Sequence, residues 1–139
     1  MIQSAQTKAL ALGKEGCYFF SLLYIAEEEG AGPLDVLRVF DEAIASGFVK
    51  NNGYVENPSL LMTMLTGAKW DVFKAGPGHN IGLDYALKPG EREVLRYEWN
   101  DLAHFVVGNG RQGIAYNPYP GSLPVVRGRL MSRRILRRT

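Results

Sequence analysis

Apolar positions follow helical spacing over the first half of the chain and form short β-branched or aromatic runs over the second. From Cys17 onward, Tyr18, Phe19, Phe20, Leu22, Leu23, Tyr24, Ile25 and Ala26 are apolar nearly all round, which predicts a helix buried on most sides. Glu27-Glu28-Glu29-Gly30 ends it. Three glutamates in a last turn oppose the helix dipole, so that end is expected to be exposed or frayed. Pro33 suits a first helical turn, and Leu34, Val36, Leu37, Phe40, Ala43 and Ile44 keep a helical period up to Gly47. Asn57-Pro58 predicts another start, with Asn57 as the cap and Pro58 in the first position; that helix carries Leu60, Leu61, Met64 and Leu65 to Gly67. Residues 48–57 between them, with Asn52-Gly53, read as a turn-rich connection.

After Gly67 the texture changes. Residues 69–74, 93–99, 103–108, 113–117 and 125–131 predict strands, and 76–82, with Gly-Pro-Gly-His-Asn, a loop. Helices first and strands later imply an α+β fold, with N-terminal helices packed on a C-terminal antiparallel sheet. A length of 139 residues fits a single domain, residues 1–139, with a helical part over about 1–67 and a sheet part over about 68–139.

Composition narrows the class. Apolar residues make up 46% and charged residues 22%, a globular mixture that excludes the disordered class. No apolar run is long enough to span a membrane, and no secretory signal is expected. A lone cysteine excludes an internal disulfide and a multi-cysteine zinc site. Charge is uneven: residues 127–138 hold six arginines and no acid, while the rest has ten basic against fourteen acidic residues. Such a basic tail meets nucleic acid, an anionic surface or the protein's own acidic face, or it is simply a solvated terminal strand. The mildly acidic body and the lack of a binding motif make the solvated strand the expectation and nucleic acid an unlikely partner.

The one thiol, Cys17, sits after Gly16 at the predicted helix start. Unpartnered helix amides there would stabilise a thiolate, Gly16 would allow a sharp turn and substrate approach, and Lys14 would add positive charge. The alternative is a packing cysteine. A thiol needs a base, and the chain has two histidines. His79 falls in the glycine-rich loop; His104 opens the run His-Phe-Val-Val-Gly. Asn109-Gly110 signals a hairpin, and a turn at Gly110-Arg111 sets His104 directly across from Asn117. Opposed residues share a face about 5 Å apart, so the Asn117 side-chain oxygen would fix the imidazole tautomer and leave the other nitrogen for a thiol. Taken separately, a half-buried strand histidine and a turn asparagine before Pro118 explain the same residues.

The order of a cysteine on a helix start, a histidine on a strand and an asparagine on the next resembles papain-like cysteine peptidases. His104-Phe-Val-Val with Tyr116-Asn117-Pro118 looks most like the small bacterial branch related to bacteriocin-processing, double-glycine-leader peptidases. The stretch from Gly121-Ser122 to Ser132-Arg133 is similar to small papain-like proteins of phage and plasmid origin. The resemblance implies a papain-like fold with Cys17 as nucleophile, His104 as general base then acid, and Asn117 as orienter. It also implies an oxyanion-hole glutamine about six residues before the cysteine, where this chain has Ala11; Gln3 and Gln6 lie further upstream. The Cys17 amide would remain as a donor, and loss of one donor costs about 10²–10³ in rate.

Two readings follow. The first is a cysteine peptidase or amidase that binds a peptide or amide substrate in a groove and works through an acyl-enzyme. The second is a catalytically weakened or inactive papain-like module that holds a protein partner, with Tyr116 and Tyr119 beside Pro118 and Pro120 as its rim. No metal or organic cofactor is indicated: the chain lacks a phosphate loop, and Asp71, Asp84 and Asp101 show no ligand spacing. The free thiol and the lack of an export signal favour the cytoplasm.

Overall fold

The structure is a computed structural model that describes residues 12, 13 and 15–139. It divides into two compact units, Met1–Lys69 and Trp70–Thr139. Helices occupy the first and an antiparallel sheet the second, so the α+β class holds.

In the first unit, helix α1 spans Cys17–Ala26. A π-helical turn, Glu27–Ala31, follows and closes at Gly30 with φ 101°. Glu27 and Glu28 are exposed there, and Glu27 Oε1 accepts the Leu34 N–H at 3.2 Å. Helix α2, Val36–Ala45, starts later than Pro33 suggested, because the Asp35 carboxylate accepts the Arg38 N–H and sets the cap. Helix α3, Pro58–Thr66, forms as its start signals predict: Asn57 Oδ1 accepts the Leu60 N–H at 3.0 Å, and Gly67 ends it in the left-handed region. Phe19, Leu22, Ile25, Phe40, Leu61 and Met62 are fully buried. The Phe19 and Phe40 rings meet edge to face, centroids 5.6 Å apart, a geometry that adds to their area burial.

The second unit contains strands β1 (Trp70–Ala75), β2 (Arg92–Trp99), β3 (Leu102–Gly108) and β4 (Ile114–Tyr116), short helix α4 (Leu123–Arg127) and strand β5 (Arg129–Arg138). The strand order is β1-β5-β2-β3-β4, with every pair antiparallel. Val94, Val107 and Leu136 are buried on one face, and Leu95, Val106 and Ile135 on the other. Burial on both faces explains why these strands read as continuous apolar runs rather than as an alternation.

Two expectations fail here. Residues 125–131 are not one strand: Ser122 and Pro124 open helix α4, and β5 begins only at Arg129. Nor is the arginine-rich end a solvated strand. β5 lies inside the sheet, hydrogen-bonded to β1 on one side and β2 on the other. Its arginines are accommodated by long stems and stacking: Arg137 lies 4.9 Å from the Phe73 ring centre, Arg138 5.2 Å from Trp70 and Arg134 5.0 Å from Phe105. Among the described residues no helix is long and apolar enough to cross a membrane.

Candidate functional site

β3 and β4 bring His104 and Asn117 together. His104 is buried on β3, and its Nε2 stands 2.7 Å from Asn117 Oδ1. The same oxygen accepts the Tyr119 N–H at 3.0 Å. That second bond fixes the amide orientation, since the Asn117 NH2 group would face a donor if reversed. A carbonyl oxygen only accepts, so His104 Nε2 carries the proton and donates it. The neutral ring therefore keeps its lone pair on Nδ1.

The contact arises through a register other than the expected one. A turn at Gly110-Arg111 would set Val107 opposite Ile114. Instead Val107 pairs with Tyr116 and Gly108 with Ile114, with a bulge between them. The longer loop is closed by the Asn109 N–H donating to the Gly113 carbonyl at 3.0 Å, while Asn109 Oδ1 accepts from Arg111 N–H at 2.8 Å and Gly113 N–H at 3.0 Å. A shift by an even number of residues keeps side chains on the same face. The His104 and Tyr119 rings meet edge-on, centroids 6.4 Å apart.

A buried ion pair that the sequence did not signal anchors this hairpin. Glu93 Oε1 on β2 accepts Arg133 Nε–H at 2.8 Å and lies 2.7 Å from Nη2. Glu93 Oε2 accepts the Gly110 N–H at 2.7 Å. Arg133 Nη1 donates to the carbonyls of Leu83 and Tyr85. Gly108 is required beside it, because an added Cβ would collide with the Glu93 carboxylate. The partners stand 40 residues apart in sequence, and no local pattern links them.

Next to this pair, Glu91 is held by Arg137 Nε–H at 2.7 Å, Lys88 N–H at 2.7 Å and Tyr85 O–H at 2.8 Å. Burial pushes its carboxyl up, but the Lys88 amide, the Arg137 guanidinium and the Tyr85 hydroxyl together outweigh burial and hold it below the ordinary carboxylate value.

Cys17 belongs to the first unit. It is half-buried and in no disulfide, and its carbonyl accepts the Ser21 O–H at 2.8 Å. Cys17 is the first residue of α1, as expected, with Gly16 at the cap. Leu12, Gly13 and Glu15 are helical too, and the Gly16 N–H donates to the Leu12 carbonyl at 2.9 Å. Gly16 has φ −87° and ψ −2°, which is not a sharp turn. Its missing side chain instead admits the Leu12 carbonyl, with which a Cβ would collide. The Gly16 amide, taken by that carbonyl, is therefore not open to a thiolate. Gln3, Gln6, Ala11 and Lys14 lie outside the described residues. His79 is exposed in its loop, with its N–H donating to the Gly76 carbonyl at 3.1 Å. Tyr119 is 68% exposed beside the His104–Asn117 pair. Among the described residues no group of three His, Cys, Asp or Glu side chains is placed to hold a metal.

Fold and site together define an α+β chain whose sheet unit holds a histidine–asparagine pair with a set tautomer. The chain belongs to the family described as "Protein of unknown function, DUF261", which it matches over residues 1–138. No curated protein and no solved structure matches it.

Proposed function

We propose that the protein is a papain-like cysteine peptidase or amidase, with Cys17 as nucleophile, His104 as general base then acid and Asn117 as orienter. The observation that carries this reading is the 2.7 Å bond from His104 Nε2–H to Asn117 Oδ1, which leaves the basic lone pair on Nδ1. In the first step the Cys17 thiol proton passes to Nδ1 and the sulfur attacks the carbonyl carbon. The tetrahedral oxyanion collapses, the C–N bond breaks, and the leaving amine takes the proton back from Nδ1. A water then gives Nδ1 a proton, attacks the thioester and releases the acid, regenerating the thiol. With the Gly16 amide taken by the Leu12 carbonyl, the imidazole is the main source of thiolate stabilisation in this scheme. The chemistry needs the peptide or amide and water, with no cofactor, and the papain-like fold belongs to the same proposal.

The exposed Tyr119 ring beside the pair favours a second reading, a non-catalytic module that holds a protein partner. One experiment separates the two. With p-nitrophenyl acetate as the acyl donor, the first reading predicts a nitrophenolate burst and an acetyl adduct on Cys17 seen by intact mass. The burst should vanish in Cys17→Ala and slow by about 10² or more in His104→Ala. A burst rate identical in wild type and His104→Ala would leave the binding module as the better reading.

A further inference from the structure

The chain holds two Asn-Gly pairs, Asn52-Gly53 and Asn109-Gly110, and both asparagines are exposed. A glycine leaves its own nitrogen open to the side-chain amide that precedes it, because no Cβ stands in the way. The two pairs nevertheless sit in different chemical surroundings.

Around Asn109 the parts of an acyl transfer are assembled. Its Oδ1 accepts the Arg111 N–H at 2.8 Å and the Gly113 N–H at 3.0 Å, so charge developing on that oxygen meets two donors already aimed at it. The bond to Arg111 closes a ring that contains the Gly110 nitrogen, which keeps the Asn109 carboxamide folded back toward that atom. The Gly110 N–H donates to Glu93 Oε2 at 2.7 Å. Arg133 engages the other carboxylate oxygen, Oε1, so Oε2 is the oxygen that can take a proton from Gly110. Gly113 makes room for the departing nitrogen, since an added Cβ would lie 2.5 Å from Asn109 Nδ2. At the other pair, Asn52 Oδ1 accepts the Tyr54 N–H at 3.0 Å, and the Gly53 N–H donates to the Lys50 carbonyl at 2.9 Å. That acceptor is a neutral amide oxygen, a far weaker base than a carboxylate.

We propose that Asn109-Gly110 is a self-modification site, at which Asn109 is converted to aspartate and isoaspartate with Glu93 as the base. The Gly110 nitrogen gives its proton to Glu93 Oε2 and bonds to Asn109 Cγ, leaving negative charge on Oδ1 between the Arg111 and Gly113 amides. The Cγ–Nδ2 bond then breaks, and Nδ2 takes the proton from Glu93 and leaves as ammonia. The product is a cyclic imide, which water opens at either carbonyl. Isoaspartate adds a methylene to the backbone of the loop that closes the β3–β4 hairpin, and either product adds a negative charge there. No step uses Cys17, His104 or Asn117, so the site stands apart from the peptidase reading.

The test is to incubate the full chain near neutral pH, folded and in urea, and to follow isoaspartate at both positions by peptide mapping. In urea the two asparagines should convert at similar rates. In the folded protein Asn109 should convert about tenfold or more faster than Asn52, and about tenfold or more faster than it does in urea. Intact mass should show loss of ammonia as the imide forms, before the gain of water. Glu93→Gln, which removes the base, should bring Asn109 down to the rate of Asn52 and leave Asn52 unchanged. A folded-state rate at Asn109 that falls short of either wild-type comparison would overturn the site, as would a folded Glu93→Gln protein with the wild-type rate. The wild-type comparisons decide the matter even if Glu93→Gln does not fold.

Discussion

Asn117 Oδ1 decides the state of the imidazole because two N–H groups converge on it, one from His104 and one from Tyr119. A single acceptor thereby sets both an amide orientation and a ring tautomer. Glu91 shows the same logic in a structural role: three donors outweigh the effect of burial on its carboxylate. Its folded pKa lies below the ordinary 4.5, so its contribution to stability is fully present above that value and is lost as pH falls through the lower folded value. Urea midpoints of wild type and Glu91→Gln should therefore differ most at neutral pH and converge as the solution is acidified below the carboxylate range. The His104–Asn117 contact was legible in the sequence because residue parity around a hairpin survives an even shift. The ladder itself was not, since neither the bulge at Val107/Gly108 nor the bond from the Gly110 N–H to Glu93 Oε2 has a signature in the hairpin's own sequence.

At the scale of elements, the legible pieces are those with local chemistry. Asn57, Pro58 and Gly67 mark a helix at both ends, and the structure obeys all three. Pro33 misled because the Asp35 side chain, two residues on, captures the amide of Arg38 in the first turn. The short helix α4 hid among β-branched residues, although Ser122 and Pro124 carry an ordinary start signal. The Glu93–Arg133 pair links β2, β5 and the β3–β4 loop, so it holds in register the hairpin that presents His104 and Asn117. Glu93→Gln would leave the guanidinium buried without its counter-charge, and such breaks cost about 3–5 kcal/mol. Chemical denaturation should report a loss of that order, and Gly110 should exchange its amide proton faster.

For the molecule as a whole, the division at Lys69/Trp70 falls close to the change in texture at Gly67. The basic character of the C-terminal end concealed its place in the fold. A run of arginines reads as solvated, yet Ile135 and Leu136 within it are fully buried and the strand has neighbours on both edges. Deleting residues 129–139 should therefore abolish the sheet rather than merely lower the net charge: circular dichroism should lose its β signal and the amides of β1 and β2 should lose protection. An unchanged β signal would mean that the sheet closes without β5.

The account depends on one imidazole activating one thiol, and alkylation of Cys17 by iodoacetamide against pH measures that directly. Wild type should react rapidly near neutral pH, well below the ordinary thiol pKa of about 8.5. His104→Ala should slow the neutral-pH rate by about tenfold or more and move the profile to the alkaline side, with Asn117→Ala in between. If all three proteins instead follow the same curve, rising only through the ordinary thiol range, the histidine does not act on the sulfur and the proposed chemistry is contradicted.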